Sequence, residues 1–340
     1  MTTQGRPRKL AILDVGHGNC VVLQDSHGVT VIDAGPRNQL LEYLEHEGIQ
    51  RIETILVSHA DEDHVGGLIA LLDPQRVEVG KIRLNTDSIK RTKVWEGLLR
   101  ILDRSHLYGR IDFKPYLTRS SREDHGEFDQ GSIRVEVLGP SPYLASLGPG
   151  GVDRRGRRIG SNSISAVIRL LIGAEPIALL PGDLDEIGLD DLMESHDDVR
   201  APLLLYPHHG GRSRRGDASA FARRLCELVR PQTVVFSIGR GRVGTPRPDV
   251  VGAIRQFNAQ IRVACTQLSK RCAAKAPNFD ANHLNPEFSG GRETRSCCAG
   301  TLVLDLDGPR ALRPSYEEHL EFIRRAAPHA LCQKPASLGH

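Results

Sequence analysis

Between Ser58 and His64 the chain reads Ser-His-Ala-Asp-Glu-Asp-His, which sets His59, Asp61, Asp63 and His64 within six residues. The run before it, 52–58 (IETILVS), is rich in β-branched residues and reads as a strand. The apolar run from Val65 to Leu72 reads as a helix. His59 is thus expected where a strand ends and His64 where a helix begins, with Asp61 and Asp63 on the tight loop between them. Two imidazoles and two carboxylates crowded into one small volume are costly unless a cation neutralises them, and both are ligands for divalent metals. The plainer alternative is a solvated acidic loop with two incidental histidines. The strand-to-helix setting favours the metal.

The elements that must position this loop recur along the chain. Strands are expected at 9–15, 20–24, 29–34, 52–58, 76–84 and 132–138, with helices at 38–47, 65–72 and 92–104. A second alternating half follows. Its strands are expected at 164–172, 176–180, 202–206, 233–238, 261–266 and 301–306, and its helices near 185–195, 217–230, 248–258 and 315–326. Residues 119–131 are polar and read as a loop. Two strand-rich halves, each flanked by helices, predict an α/β fold: a four-layer αββα sandwich with a cysteine-bearing C-terminal insertion. The expected boundaries are a core over 1–266, an insertion over 267–300, a final strand and helix over 301–326, and a flexible tail over 327–340.

Composition sets the limits. The 340 residues are 39% hydrophobic, 26% charged and 4% aromatic, a globular mix with a core of aliphatic side chains. The net charge of +3 does not by itself announce a nucleic-acid binder. No apolar run is long enough to span a bilayer, and the opening MTTQGRPRKL has no apolar stretch, so the expectation is a cytoplasmic protein with no membrane partner. Seven cysteines, an odd number, favour metal or free thiols in a reducing compartment over a disulfide framework. Cys265, Cys272, Cys297 and Cys298 are candidates for a structural zinc site, with His283 as a spare ligand. Buried thiols or a redox pair are the alternatives.

Several segments in order resemble the motifs of metallo-β-lactamase-fold hydrolases, and in particular the hydrolase domain of ComEC-type competence proteins. They are Asp14-Val-Gly-His-Gly-Asn-Cys20, Val31-Ile-Asp-Ala-Gly35, the His59-x-Asp61-x-Asp63-His64 loop, Leu180-Pro-Gly-Asp183 and His208-His209-Gly210. The resemblance covers about residues 9–266. It implies two divalent ions, Zn or Mn and possibly Mg. One position would draw on His59, Asp61 and bridging Asp183, and the other on Asp63, His64, Asp183 and one of the paired histidines. His209 is the expected ligand and His208 the expected substrate contact or proton donor, with the opposite assignment open. Asp33 is expected to orient the metal loop, and Asp63, His208 and Asp33 form the expected catalytic set. The chain also departs from the family pattern. Asn162 stands near the place of a usual histidine, and Thr245 replaces the histidine of a Gly-His-Pro triplet. His17, in the opening turn, could reach the metal cleft, but a bond to backbone is the stronger expectation.

Three arginine runs flank these motifs: Asp153-Arg-Arg-Gly-Arg-Arg158, Gly211-Arg-Ser-Arg-Arg215 and Gly239-Arg-Gly-Arg242. Guanidinium forks suit phosphate oxygens. Arg155, Arg158, Arg212 and Arg214, with Asn162 and Thr245, are therefore expected to bind substrate. The functional expectation is a metal-dependent phosphodiester hydrolase, a nuclease on DNA or RNA acting through a metal-bound hydroxide. The alternatives are a small-molecule phosphodiesterase of phosphorylcholine-esterase type and a non-catalytic nucleic-acid or protein-binding module. A protein partner is conceivable but nothing in the residues specifies one.

Overall fold

The computed structural model describes residues 7–72, 76–119, 126–129, 131–212, 216–241, 244–279, 281–284 and 288–333. The first half builds strands β1 (Lys9–Ile12), β2 (Cys20–Asp25), β3 (Gly28–Ala34), β4 (Arg51–Val57), β5 (Glu78–Leu84) and β6 (Asp112–Lys114). Late strands β13 (Leu302–Asp305) and β14 (Leu312–Arg313) join the same sheet, in the order β14-β13-β1-β2-β3-β4-β5-β6. The second sheet has the order β12-β11-β10-β9-β8-β7, from β7 (Ile133–Gly139), β8 (Val167–Ile172), β9 (Glu175–Leu180), β10 (Leu203–Leu205), β11 (Thr233–Phe236) and β12 (Arg262–Cys265).

Side chains alternate faces along each strand, so both sheets bury two surfaces. Leu10 and Ile12 of β1, Val21 and Leu23 of β2, and Leu203 and Leu205 of β10 meet in the core between the sheets. Their neighbours Ala11 and Val22 face α1 (Gln39–His46), α2 (Glu62–Leu72) and α3 (Lys93–Leu107) on one outer side. Leu204, Val234 and Phe236 face α5 (Glu186–Ser195), α6 (Ala218–Val229), α7 (Pro248–Phe257) and α8 (Tyr316–Ala326) on the other. The result is the αββα sandwich. A short α4 (Pro142–Leu147), capped by Ser141, fills a Gly/Pro-rich stretch from which no helix was expected.

Side-chain caps place the helix starts. The Asp185 carboxylate accepts from the N–H groups of Ile187 and Gly188, and Asp217 accepts from Ser219 and Ala220. Ser315 and Glu318 form a capping box at α8.

Two differences from expectation arise from tertiary contacts. Strand β1 stops at Ile12 because Asp14 leaves the ladder. Its carboxylate accepts from the Gly291 N–H at 2.8 Å and from Gln267 Nε2 at 2.9 Å, tying the first strand to the cysteine-bearing segment. The stretch expected as a flexible tail is packed in its described part, since Ala327, Ala330 and Leu331 are buried against the α7–α8 side of the core. Residues 334–340 lie outside the described residues. Among the described residues no helix is long and apolar enough to cross a membrane.

Candidate metal centre

The site forms where strands of both sheets end. Strands β3, β4 and β5 run parallel, as do β9, β10, β11 and β12. Their carboxyl ends supply Asp33, Ser58 with His59, Asp183, His208 with His209, and Ser237. Ligands commonly gather at this edge of parallel strands.

Asp33 anchors the loop. It sits near the end of β3 with a positive φ of 59°, a conformation rare outside glycine. Its Oδ1 accepts from the Ser58 N–H at 2.7 Å, and its Oδ2 accepts from Ser58 Oγ at 2.8 Å and from His64 Nδ1 at 2.7 Å. Gly182 allows Asp183 to approach this loop. Its φ is +54°, and a Cβ there would stand 2.3 Å from Ser165 Oγ and 2.5 Å from Ser58 Cβ.

The hydrogen bonds at Nδ1 fix which nitrogen faces inward. His64 donates from Nδ1 to Asp33, so its Nε2 looks at Asp183 Oδ1 across 3.3 Å. His209 donates from Nδ1 to the Ser237 carbonyl at 2.7 Å, and its Nε2 lies 3.2 Å from Asp63 Oδ2 and 3.8 Å from Asp183 Oδ1. An imidazole lone pair set against a carboxylate oxygen is repulsive unless a proton or a metal ion stands between them. Ligand atoms of Asp63, His64, Asp183 and His209 all lie within 4.8 Å of one another. The Nε2 atoms of His59, His64 and His208 are buried without a hydrogen-bond partner. These orphaned, inward-facing nitrogens and two flanking carboxylates fit a divalent cation.

The electrostatics agree. Burial opposes a charge on His64, yet Asp33 and Asp183 raise its pKa well above the usual imidazole value. Burial likewise opposes the charge on Asp183, but His209, His64 and His208 hold it well below the carboxylate range. His59, fully buried and next to His64, falls to about 4. A proton on His64 thus takes the place of the positive charge that the site is built for.

The expected residues divide into three groups. Asp63, His64, Asp183 and His209 are brought together. His59 borders the same space, with Nε2 3.8 Å from Asp61 Oδ2, but Asp61 is bonded to Lys90 and stands outside the four-residue group. His208 donates its backbone N–H to Asp183 Oδ1 at 3.0 Å, and its Nδ1 lies 3.4 Å from Asp183 Oδ2 and 3.3 Å from Asn162 Nδ2. Both paired histidines have positive φ, 51° and 55°, which splays their side chains into one site. Thr245 is buried beneath the His208–Gly211 turn, its methyl 3.6 Å from where a Cβ on Gly211 would sit. Its Oγ1 is buried without a hydrogen-bond partner.

The arginines need correction. Arg155 does not point free into a cleft: it pairs with Asp190 at 2.8 Å and Glu194 at 3.0 Å on α5. Arg157 also binds Asp190. Arg240 caps the carbonyls of Leu268 and Ala273, each at 2.7 Å. These guanidiniums are consumed in holding loops to the body. Arg158 and Arg212 are exposed. Arg214 lies outside the described residues.

The cysteine set also differs. Cys297 turns away from its neighbours and sets its Sγ 3.4 Å from Asp14 Oδ2. It bridges to Gln267 and lines a different cavity from Cys265, Cys272 and Cys298. His283 donates to the Cys298 carbonyl at 2.5 Å and stacks on Phe322 rather than serving a metal.

Two further residues border the site: His17, for which this was the weaker expectation, and Lys90, which was not anticipated. His17 is not bonded to its own turn. Its Nε2 lies 3.7 Å from Asp63 Oδ2, its ring packs on His209 at 4.3 Å, and its Nδ1 is buried unpartnered. The opening turn's place beside the family motifs was the available signal. Lys90 carried none, since it reaches Asp61 from a loop 29 residues away.

Comparison with known proteins matches the metallo-beta-lactamase superfamily over residues 13–154. Asp183, His208 and His209 lie beyond that match. ComE operon protein 3 of Bacillus subtilis (strain 168) is 20% identical over 274 residues, covering 74% of this chain and 31% of its own length. Competence protein ComA of Neisseria gonorrhoeae is 23% identical over 235 residues, covering 68% of this chain and 27% of its own. The chain therefore spans under a third of the curated relatives it matches. Among solved structures, the metallo-beta-lactamase fold protein YhfI from Bacillus subtilis aligns over 76% of this chain and 96% of its own at 9% identity and a TM-score of 0.46. The superfamily implies divalent metal ions, and the four-residue group above is where this chain's donors fit them. Residues 13–154 thus match the metallo-beta-lactamase superfamily, within an αββα chain that resembles ComEC-type competence proteins.

Proposed function

We propose that this chain hydrolyses phosphodiesters, with nucleic acid as its substrate. The observation that carries the reading is the convergence of Asp63, His64, Asp183 and His209, ligand atoms within 4.8 Å, at the mouth of the sandwich. Divalent ions bound there would supply Lewis acidity and activate a water for attack on phosphorus. His64 and His209 are held in the ligating tautomer by Asp33 and the Ser237 carbonyl. Asp183, fixed by the His208 N–H, would help hold the ions. His208, with Asn162 at its Nδ1, is placed to contact substrate or deliver a proton to the leaving oxygen.

Arg158 and Arg212, exposed on the segments that lead to Asn162 and away from His209, suit phosphate oxygens. The ComEC resemblance, which implies DNA handling, supports nucleic acid. One observation favours a smaller phosphodiester instead: the ion pairs of Arg155 and Arg157 leave fewer guanidiniums for a long polyanion.

The test is turnover of single- and double-stranded DNA, RNA and bis-p-nitrophenyl phosphate with Mn²⁺, Mg²⁺ or Zn²⁺. Metal-dependent cleavage of nucleic acid, lost in an Asp63→Ala, His64→Ala double variant, is the expected result. Cleavage of the small diester alone supports the smaller substrate. No cleavage of any of them, or equal cleavage by the double variant, ends the proposal.

A further inference from the structure

Away from this centre, four cysteines from four separate segments line one cavity, their sulfurs spaced more widely than the donors of the first centre. Cys265 ends β12, and Cys272 lies in the turn that follows. Cys298 leads toward β13, and Cys332 sits in the last helical turn, Leu331–Gln333. All four line one narrow apolar cavity, together with His319 of α8. The imidazole is at contact range, with His319 Nε2 3.2 Å from Cys298 Sγ. Each thiol senses the others electrostatically: Cys265 feels Cys298, Cys272 and Cys332, and Cys332 feels Cys272.

Buried thiols are often inert packing. Three features separate this group from packing. Four of the seven cysteines share one void although they are scattered over 68 positions of sequence. An imidazole kept neutral by burial, its pKa drawn down to about 3, faces a sulfur. A buried guanidinium, Arg262, lies within electrostatic reach of both Cys298 and His319, and its Nε has no hydrogen-bond partner. Burial pushes the Cys265 and Cys298 thiols well up and Cys332 up to about 11, so a bound metal must displace their protons, and a neutral imidazole N–H can donate to a coordinated sulfur.

We propose that Cys265, Cys272, Cys298 and Cys332 hold a structural zinc ion, with His319 donating from Nε2 to the Cys298 sulfur. Zinc takes four thiolates tetrahedrally. Binding releases the four thiol protons to solvent and draws the sulfurs inward from the walls of the void. The resulting centre carries two negative charges, which Arg262 partly offsets. Cys332 thus takes the place that Cys297 could not fill.

The zinc ties three pieces that support the mouth of the first centre. One is the 266–273 turn, where Ser269 Oγ donates to the Thr245 carbonyl and the Leu268 and Ala273 carbonyls hold Arg240. The second is the segment ending at Cys298, which fastens Asp14 of the opening turn. The third is α8 with its terminal turn. The ion would staple to the core a segment with little regular structure of its own.

The test separates the two centres. Protein purified without chelator is analysed for zinc in the Asp63→Ala, His64→Ala background, which removes the first centre. About one zinc per chain should remain, and none after further Cys272→Ser and Cys332→Ser substitution. Cobalt(II) loading of the double variant should give a thiolate-to-metal charge-transfer band, a readout on the intact fold that does not depend on the cysteine variants. Cys226→Ser, a buried thiol outside the cavity, should change neither result. Absence of zinc together with absence of the band in the double variant overturns the proposal. A mass decrease showing disulfides among the four cysteines in freshly isolated protein also overturns it.

Discussion

The Asp33 carboxylate, at the end of β3, receives the Nδ1 proton of His64, at the start of α2, across 2.7 Å. The same carboxylate holds the Ser58 backbone and hydroxyl, and so a single side chain sets the strand end, the loop and the ring orientation. Asp33 touches no ligand space itself. It acts through His64, as a positioning residue.

An Asp33→Asn substitution tests that role. The amide has one acceptor oxygen for three donors, and its NH₂ turned toward His64 favours the opposite tautomer. Metal affinity should fall about 10- to 100-fold while the fold persists. Titration against a competing chelator measures the loss, with circular dichroism as the check on folding. Unchanged affinity would show that Asp33 merely fills space.

Much of this arrangement was legible because the relevant signals are local. The strands are buried on both faces, so 29–34 and 164–172 show as apolar runs. The ligand loop lies within six consecutive residues at a strand–helix junction. What escaped were contacts between distant segments. Nothing near Arg155 in sequence announces that Asp190, 35 residues on, will take its charge. Cys332 looks like part of a polar tail, yet with the buried Ala330 and Leu331 it packs, half-buried, against the core. The cysteine pair 297–298 seemed one unit, yet the two line different cavities. Pairings of this kind depend on the tertiary fold, which spacing alone does not encode.

The Asp190 network predicts a pH dependence. Asp190 on α5 accepts from Arg224 at 2.6 Å and from Arg155 and Arg157 at 2.8 Å each. Burial opposes its charge, but the guanidiniums prevail and hold its pKa below the ordinary 3.8. A carboxylate with a lowered folded-state pKa stabilises above the unfolded value and loses that contribution as pH falls through the folded one. Asp190→Asn should therefore lower the melting temperature at neutral pH, with the deficit shrinking as the pH falls below the ordinary 3.8. Melting curves of both proteins across that range decide it. A deficit that stays constant with pH would mean the loss is one of packing, not charge.

Lys90 offers the last prediction. Its ammonium is bonded to Asp61, beside the unpartnered Nε2 of His59. A positive charge there competes with an ion held by His59, Asp61 and Asp183, and leaves the Asp63, His64, Asp183 and His209 position untouched. Two binding steps should then differ in strength, the weaker one opposed by Lys90. Lys90→Met keeps the aliphatic stem and removes the charge. The weaker step should tighten about three- to fivefold, the equivalent of ~1 kcal/mol for a half-exposed pair, with the stronger step unmoved. Calorimetric titration with Mn²⁺ or Zn²⁺ resolves the two steps. If both steps shift together, or neither does, Lys90 does not compete for that position and its pairing with Asp61 serves only to shape the loop.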